Sequence, residues 1–200
     1  TGTSFTAGIK EKNYLGLGIK LDTNLVVSDD SIKGRFLVTN PNYNNSDKSI
    51  KTSIESSTSD FMSTSGYKTS RTGFSIVTEF EQKNDLFVNL EFSNFYEDLE
   101  TTSSATDIVK KQEGNYIENL LMYSIKYNRL DQDFQPTDGF ITNFSQSLPV
   151  YSDDLSIENI FTSSLYHSLG DNLILSANYF LKTINSLEDN VRISKRVFVP

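Results

Sequence analysis

Polar and apolar residues alternate along this chain in runs of roughly ten residues, each closed by a turn. In one such run Leu17, Ile19, Leu21, Leu25 and Val27 fall on one side, and Lys20, Asp22 and Asn24 on the other. A period of two puts successive side chains on opposite faces of a strand. The pattern predicts ten strands, over 3–11, 17–27, 32–40, 47–61, 67–81, 85–97, 116–129, 139–150, 154–168 and 172–187. Tight turns at Leu15-Gly16, Asn40-Pro41-Asn42, Lys83-Asn84-Asp85, Gln135 to Gly139 and Leu169 to Asn172 fall at one end. Ser28 to Ser31, Met62 to Gly66, Leu99 to Asn115 and Ser152-Asp153 fall at the other. Strands joined by short turns pair antiparallel, so the fold class is an all-β antiparallel meander. Pro41 and Pro136 lie in turns, Pro149 at a strand end and Pro200 at the close, so none removes a mid-strand hydrogen bond.

Parity sorts the later strands into two faces. The more apolar one carries Leu86, Val88, Leu90 and Phe92, then Ile117, Asn119, Leu121, Tyr123, Ile125 and Tyr127. It continues with Phe140, Thr142, Phe144, Gln146 and Leu148, then Leu155, Ile157, Asn159, Phe161, Ser163 and Leu165. Leu173, Leu175, Ala177, Tyr179, Leu181 and Thr183 complete it. None of these is charged, whereas the opposite parity holds Glu91, Glu118, Lys126, Glu158 and Lys182. A transmembrane barrel requires this sorting, because Lys or Arg facing lipid at mid-membrane costs about 2–4 kcal/mol. A soluble β-sandwich also hides charge from one face. Strand length favours the membrane. So do rings near strand ends at Phe61, Tyr67, Phe80, Phe95, Tyr96, Tyr116, Tyr127, Phe140 and Tyr151, which suit interfacial girdles. An inward parity of Asn, Ser, Thr and Gln suits a wet lumen. The face at Ile50, Thr52, Ile54 and Ser56 is thinner.

Composition agrees with that reading. Only 36% of the 200 residues are hydrophobic, yet 12% are aromatic, so disorder would explain the polarity but not the rings. No apolar run is long enough for a membrane helix. Thr1 opens the chain without a basic and apolar leader, as expected of a mature chain or an excised piece. A net charge of −8 without a Lys/Arg stripe argues against a nucleic-acid partner. The absence of Cys fits an oxidising compartment. The acidic, Ser/Thr-rich stretch from Glu97 to Glu113 is expected to be a mobile surface loop.

Nothing in the residues argues for catalysis, a cofactor or a metal. The single His167 has no Cys or second His to complete a zinc site, and reads as a polar residue near a strand end. No Gly-x-Ser-x-Gly elbow accompanies it. Asp29-Asp30, Asp131/Asp133 and Asp153-Asp154 sit in turns; Asp131-x-Asp133 lacks the downstream Gly and Glu of an EF-hand, so solvated turn acids are expected. Gly16-x-Gly18 lies between strands and precedes no helix, so it is a turn rather than a phosphate loop.

Three segments carry a family likeness. Thr3 to Ile9 followed by Asn13-Tyr14-Leu15-Gly16-Leu17-Gly18 resembles an early barrel strand and turn of the BamA-like outer-membrane assembly factors, the bacterial surface antigen family. Leu37-Val38-Thr39-Asn40-Pro41 is similar to a family strand ending in Thr-Asn-Pro plus an aromatic, with Tyr43 two residues late. Tyr127 to Asp131, then Phe134 to Gly139, resembles a periplasmic turn whose Pro-Thr-x-Gly element starts the next strand. Leu148-Pro149, just before an outer loop, is also similar. The resemblance implies a partial transmembrane barrel of about ten of about sixteen strands over 1–200, in a Gram-negative outer membrane, beginning near the second strand. The periplasmic POTRA domains and the first and last strands then lie outside this chain. Arg192 to Pro200 would enter the large sixth loop, and its Arg-Gly-Phe/Tyr motif does not occur. Gly16, Gly18, Asn40, Pro41, Pro136, Thr137 and Gly139 are the motif positions, setting turns and register. Leu86, Val88, Leu90, Phe92, Ile117, Leu121, Tyr123, Ile125, Phe140, Phe144, Leu155, Ile157, Phe161, Leu173, Leu175, Tyr179 and Leu181 would face lipid.

The implied function is non-enzymatic: folding and insertion of barrel proteins by strand addition at a weak seam elsewhere in the wall. Implied partners are membrane lipids, unfolded outer-membrane clients, accessory assembly lipoproteins and the POTRA domains. Alternatives are a two-partner secretion or translocation relative, a diffusion porin, and a soluble β-sandwich binding module.

Overall fold

The computed structural model describes residues 3–153, 155–170, 173–188 and 191–197. They form one ten-stranded sheet, each strand antiparallel to its neighbour in sequence. The strands are β1 (Ser4–Tyr14), β2 (Ile19–Ser28), β3 (Ser31–Asn40), β4 (Ser49–Phe61), β5 (Tyr67–Lys83), β6 (Leu86–Thr101), β7 (Gly114–Asn128), β8 (Gly139–Ser152), β9 (Ser156–Gly170) and β10 (Leu173–Ser186). One short helix, α1 (Asp107–Lys110), stands between β6 and β7. The single meander excludes the two stacked sheets of a sandwich. Asp154, the Asp171-Asn172 turn and Pro200 lie outside the described residues.

Direct cross-strand partners share a face, so the register extends the parity argument across the sheet. Phe36, Ile54, Phe74, Asn94 and Asn119 form one row; Glu55, Gly73, Phe95 and Glu118 form a row on the other face. The faces differ in burial: Ser53 is 2% exposed and its neighbour Ile54 58%. Small polar side chains (Ser75, Ser93, Ser124, Ser145) are likewise buried on the inner face. Few apolar side chains are buried among the described residues, so the sheet is a wall with two solvated sides rather than the cover of an oily core.

The stretch from Glu97 to Glu113 corrects an expectation. It is not a mobile loop: β6 runs on to Thr101, and Leu99, Ala105 and Val109 are buried. Thr102 N donates to Gly66 O at 2.8 Å, tying this connection to the one between β4 and β5. Gly66 has φ +75, and a Cβ there would stand 2.6 Å from Ala105 N. Three spaced apolar residues in a polar run were enough to anchor it. The expected difference in loop length between the two ends rests on this connection alone. At the Gly/Asn/Pro end the 41–48 and 129–138 connections are themselves long, because each folds back on its own hydrogen bonds.

Candidate functional site

The densest chemistry lies on the inner face, where β5, β6 and β7 meet the segment after β10. It begins with Gly73. A Cβ there would fall 2.7 Å from Phe95 Cα and 2.5 Å from Phe95 Cδ1, so glycine is what lets the Phe95 ring lie across β5. Arg71, two residues earlier on the same face, stacks its guanidinium 3.5 Å from the centre of that ring. This aims Arg71 Nη2 at Glu118 Oε2, 3.4 Å away.

Glu118 and Glu97 are both almost fully buried. Arg192 joins them: Nη1 donates to Glu97 Oε2 at 2.6 Å and Nη2 to Glu118 Oε1 at 2.9 Å. Its guanidinium stacks 3.7 Å from the centre of the Tyr116 ring. Lys195 Nζ lies 2.7 Å from Glu118 Oε1 and donates to Ser156 Oγ at 3.3 Å. Ile193 N donates to Gln112 Oε1 at 2.8 Å. Two buried carboxylates are thus enclosed by three cations, and the chain after β10 is pinned to the inner wall by charge-assisted hydrogen bonds. An arginine suits this place because its planar fork reaches two carboxylates at once. Of the rings expected in interfacial girdles, Phe61, Tyr67, Phe95 and Tyr116 lie on the inner face, and Phe95 and Tyr116 carry these guanidinium groups. Elsewhere the inner charges are also paired, as Lys10–Asp22, Arg35–Glu55 and Lys182–Glu158. Among the described residues no group of three or more His, Cys, Asp or Glu converges as metal ligands would.

The motif positions lie in three separate turns at the Gly/Asn/Pro end. Gly16 and Gly18 have φ +74 and +70, and Gly18 N donates to Asn13 Oδ1 at 2.7 Å. Asn40 Oδ1 accepts from Asn42 N across Pro41 at 3.2 Å. The third turn is organised by Asp131, which accepts from Thr137 N at 3.0 Å, Thr137 Oγ1 at 2.6 Å and Asp138 N at 3.2 Å. The Thr137 hydroxyl, then the backbone donors, hold its carboxyl below the usual carboxylate range. Pro136 and Gly139 complete this turn; Gly139 has φ +99, and a Cβ there would lie 2.0 Å from Arg129 O. His167 Nδ1 lies 3.4 Å from Asp138 Oδ1, with both side chains exposed.

Of the residues expected to face lipid, Leu86, Val88, Leu90, Phe92, Ile117, Leu121, Tyr123, Ile125, Phe140, Phe144, Ile157, Phe161, Leu175, Tyr179 and Leu181 share the outer face by register. Leu155 precedes β9, and Leu173 sits at a bulge at the start of β10, so both stand outside that continuous register. Parity puts Glu118 on the inner face, but no local pattern singles out Glu97, Arg71, Arg192 or Lys195. Arg192 meets Glu97 across 95 positions of chain, a contact no local pattern encodes.

No curated protein matches the chain. Among solved structures, BamA from Haemophilus ducreyi lacking POTRA domains 1–3 matches with a TM-score of 0.79 at 21% identity, over 93% of this chain and 40% of that one. This chain therefore spans well under half the length of that structure, and the likeness establishes a BamA-like barrel wall as its fold. The model of the Omp85 superfamily domain matches residues 13–199, nearly the whole sheet and the pinned segment after it. With a barrel wall in the geometry and that match along its length, the chain belongs to the Omp85 superfamily.

Proposed function

We propose that this chain is part of the transmembrane wall of an outer-membrane protein that folds and inserts β-barrel clients. One observation carries the reading. From β2 to β10, the outer face between its rims holds no Asp, Glu, Lys or Arg, while the inner face holds the ion pairs. Charges return only toward the rims: Asp98 and the row of Asp60, Lys68 and Glu100 at the long-loop end, and Lys48 and Lys83 at the Gly/Asn/Pro end. An uncharged band with a charged edge is what hydrocarbon bounded by water selects. Membership of the superfamily supports a role in protein insertion or translocation at a Gram-negative outer membrane. On this reading the Gly/Asn/Pro turns face the periplasm, and the pinned segment lies in a wet lumen. The wall serves as the fixed side of a barrel whose seam lies elsewhere. Its partners are lipids, unfolded outer-membrane clients, accessory lipoproteins and POTRA domains, and no covalent chemistry is asked of it.

The test is reconstitution of the native protein in liposomes with an unfolded barrel client. Client acquiring protease protection and heat-modifiable mobility in the membrane is the expected result. Soluble client delivered across the bilayer would instead place the protein with the secretion relatives.

A further inference from the structure

On the outer face, the connection between β3 and β4 folds back and stands beside a trench. Pro41 cannot donate to the ladder and ends β3. The turn then closes on itself: Tyr43 N donates to Lys48 O at 2.9 Å, and Ser46 Oγ to Tyr43 O at 2.6 Å. Asn44 and Asn45 take φ 55 and 54, conformations asparagine tolerates. This built turn holds Tyr43 and Lys48 at the end of a trench of about 520 Å³. Lys48 Nζ lies 5.9 Å from the centre of the Phe80 ring. Thr78 is the direct neighbour of both Ile50 and Leu90, and its short side chain makes the floor between them. Phe92 forms part of the far wall.

We propose that this trench binds one anionic diacyl phospholipid, its phosphate on Lys48 and Tyr43 and an acyl chain along Ile50, Thr78 and Leu90. The site rests on the reading that this face meets lipid, and adds a place and a headgroup to it. A peptide strand is a poor occupant, because the backbone donors and acceptors of β4, β5 and β6 are already used in the ladder. A soluble anion would engage the ammonium and leave the apolar walls unused. An amphiphile with negative head and hydrocarbon tail matches both ends, and the site is continuous with the uncharged outer band. The delayed aromatic after Asn40-Pro41 thereby gains a role: its phenol reaches the outer face at the membrane boundary, where such rings are favoured.

The test is native mass spectrometry of the purified protein in mixed micelles carrying phosphatidylglycerol or phosphatidylcholine. One phosphatidylglycerol adduct should survive activation that strips phosphatidylcholine. Lys48→Glu should lower its occupancy about fivefold or more, the effect of losing one ammonium beside an anionic headgroup. Thr78→Phe, which fills the trench floor, should abolish adducts of both lipids. Lys33→Glu, on the inner face, should leave occupancy unchanged, and circular dichroism should match in all variants. Equal retention of the two lipids overturns the site, as does phosphatidylglycerol occupancy that neither Lys48→Glu nor Thr78→Phe moves. A protein that stays monodisperse with no detergent at all would sink the bilayer reading itself.

Discussion

Gly73 lacks a Cβ where the Phe95 ring lies, and that one omission orients Arg71 toward Glu118. Gly73→Val would drive a side chain against Asn94 O and Phe95 Cα, which are backbone atoms and cannot swing away. A loss of roughly 1–3 kcal/mol is expected, read as a lower urea midpoint in detergent. Asp131 shows the same economy in a turn. Its carboxyl sits below the usual carboxylate range because Thr137 and Asp138 donate to the charged form. The sign follows: a lowered value stabilises the turn above the unfolded carboxylate value near about 4, and the benefit disappears as pH falls through the lowered one. Slow amide exchange at Thr137 and Asp138 should therefore persist through neutral pH and collapse only in acid. Asp131→Asn should erase that pH step.

Among the elements, the segment after β10 is held to β6 and β7 by Arg192 rather than by strand pairing. Arg192→Ala leaves Glu97 and Glu118 buried with less compensation, a change that typically costs about 3–5 kcal/mol. The expected result is fast hydrogen exchange confined to 191–197 and to the β6–β7 connection, with the rest of the sheet unchanged. Arg192→Lys should restore little, since an ammonium cannot bridge both carboxylates with a planar fork. Uniform exchange across all strands would show that the cluster holds the whole wall and not one segment.

For the whole molecule, two adjacent positions on β7 discriminate the faces. Leu121 is on the outer face and Met122 on the inner, beside Glu91. Leu121→Arg should cost about 2–4 kcal/mol and depress the yield of folded protein in membranes. Met122→Arg should be tolerated, because it meets a carboxylate and water. Equal penalties at both sites would contradict a wall with lipid on one side. The same division explains why a chain with so few buried apolar residues holds a sheet this large: the bilayer supplies the apolar surroundings that a core would otherwise provide.

The alternation of side chains by itself determined the ten strands, their order and which parity excludes charge. Each follows from a local period of two and from turn residues such as Gly16, Pro41 and Gly139. Glu118 was legible as an inner-face residue on that basis alone. Only the tertiary structure decided that Glu97, Glu118 and Arg192 meet, that guanidinium groups stack on Phe95 and Tyr116, and that the acidic stretch after Glu97 is anchored. It also decided that Tyr43 and Thr78 line one trench. Such contacts join positions far apart in the chain through sheet curvature and the path of the connections, and a period of two carries no information about either.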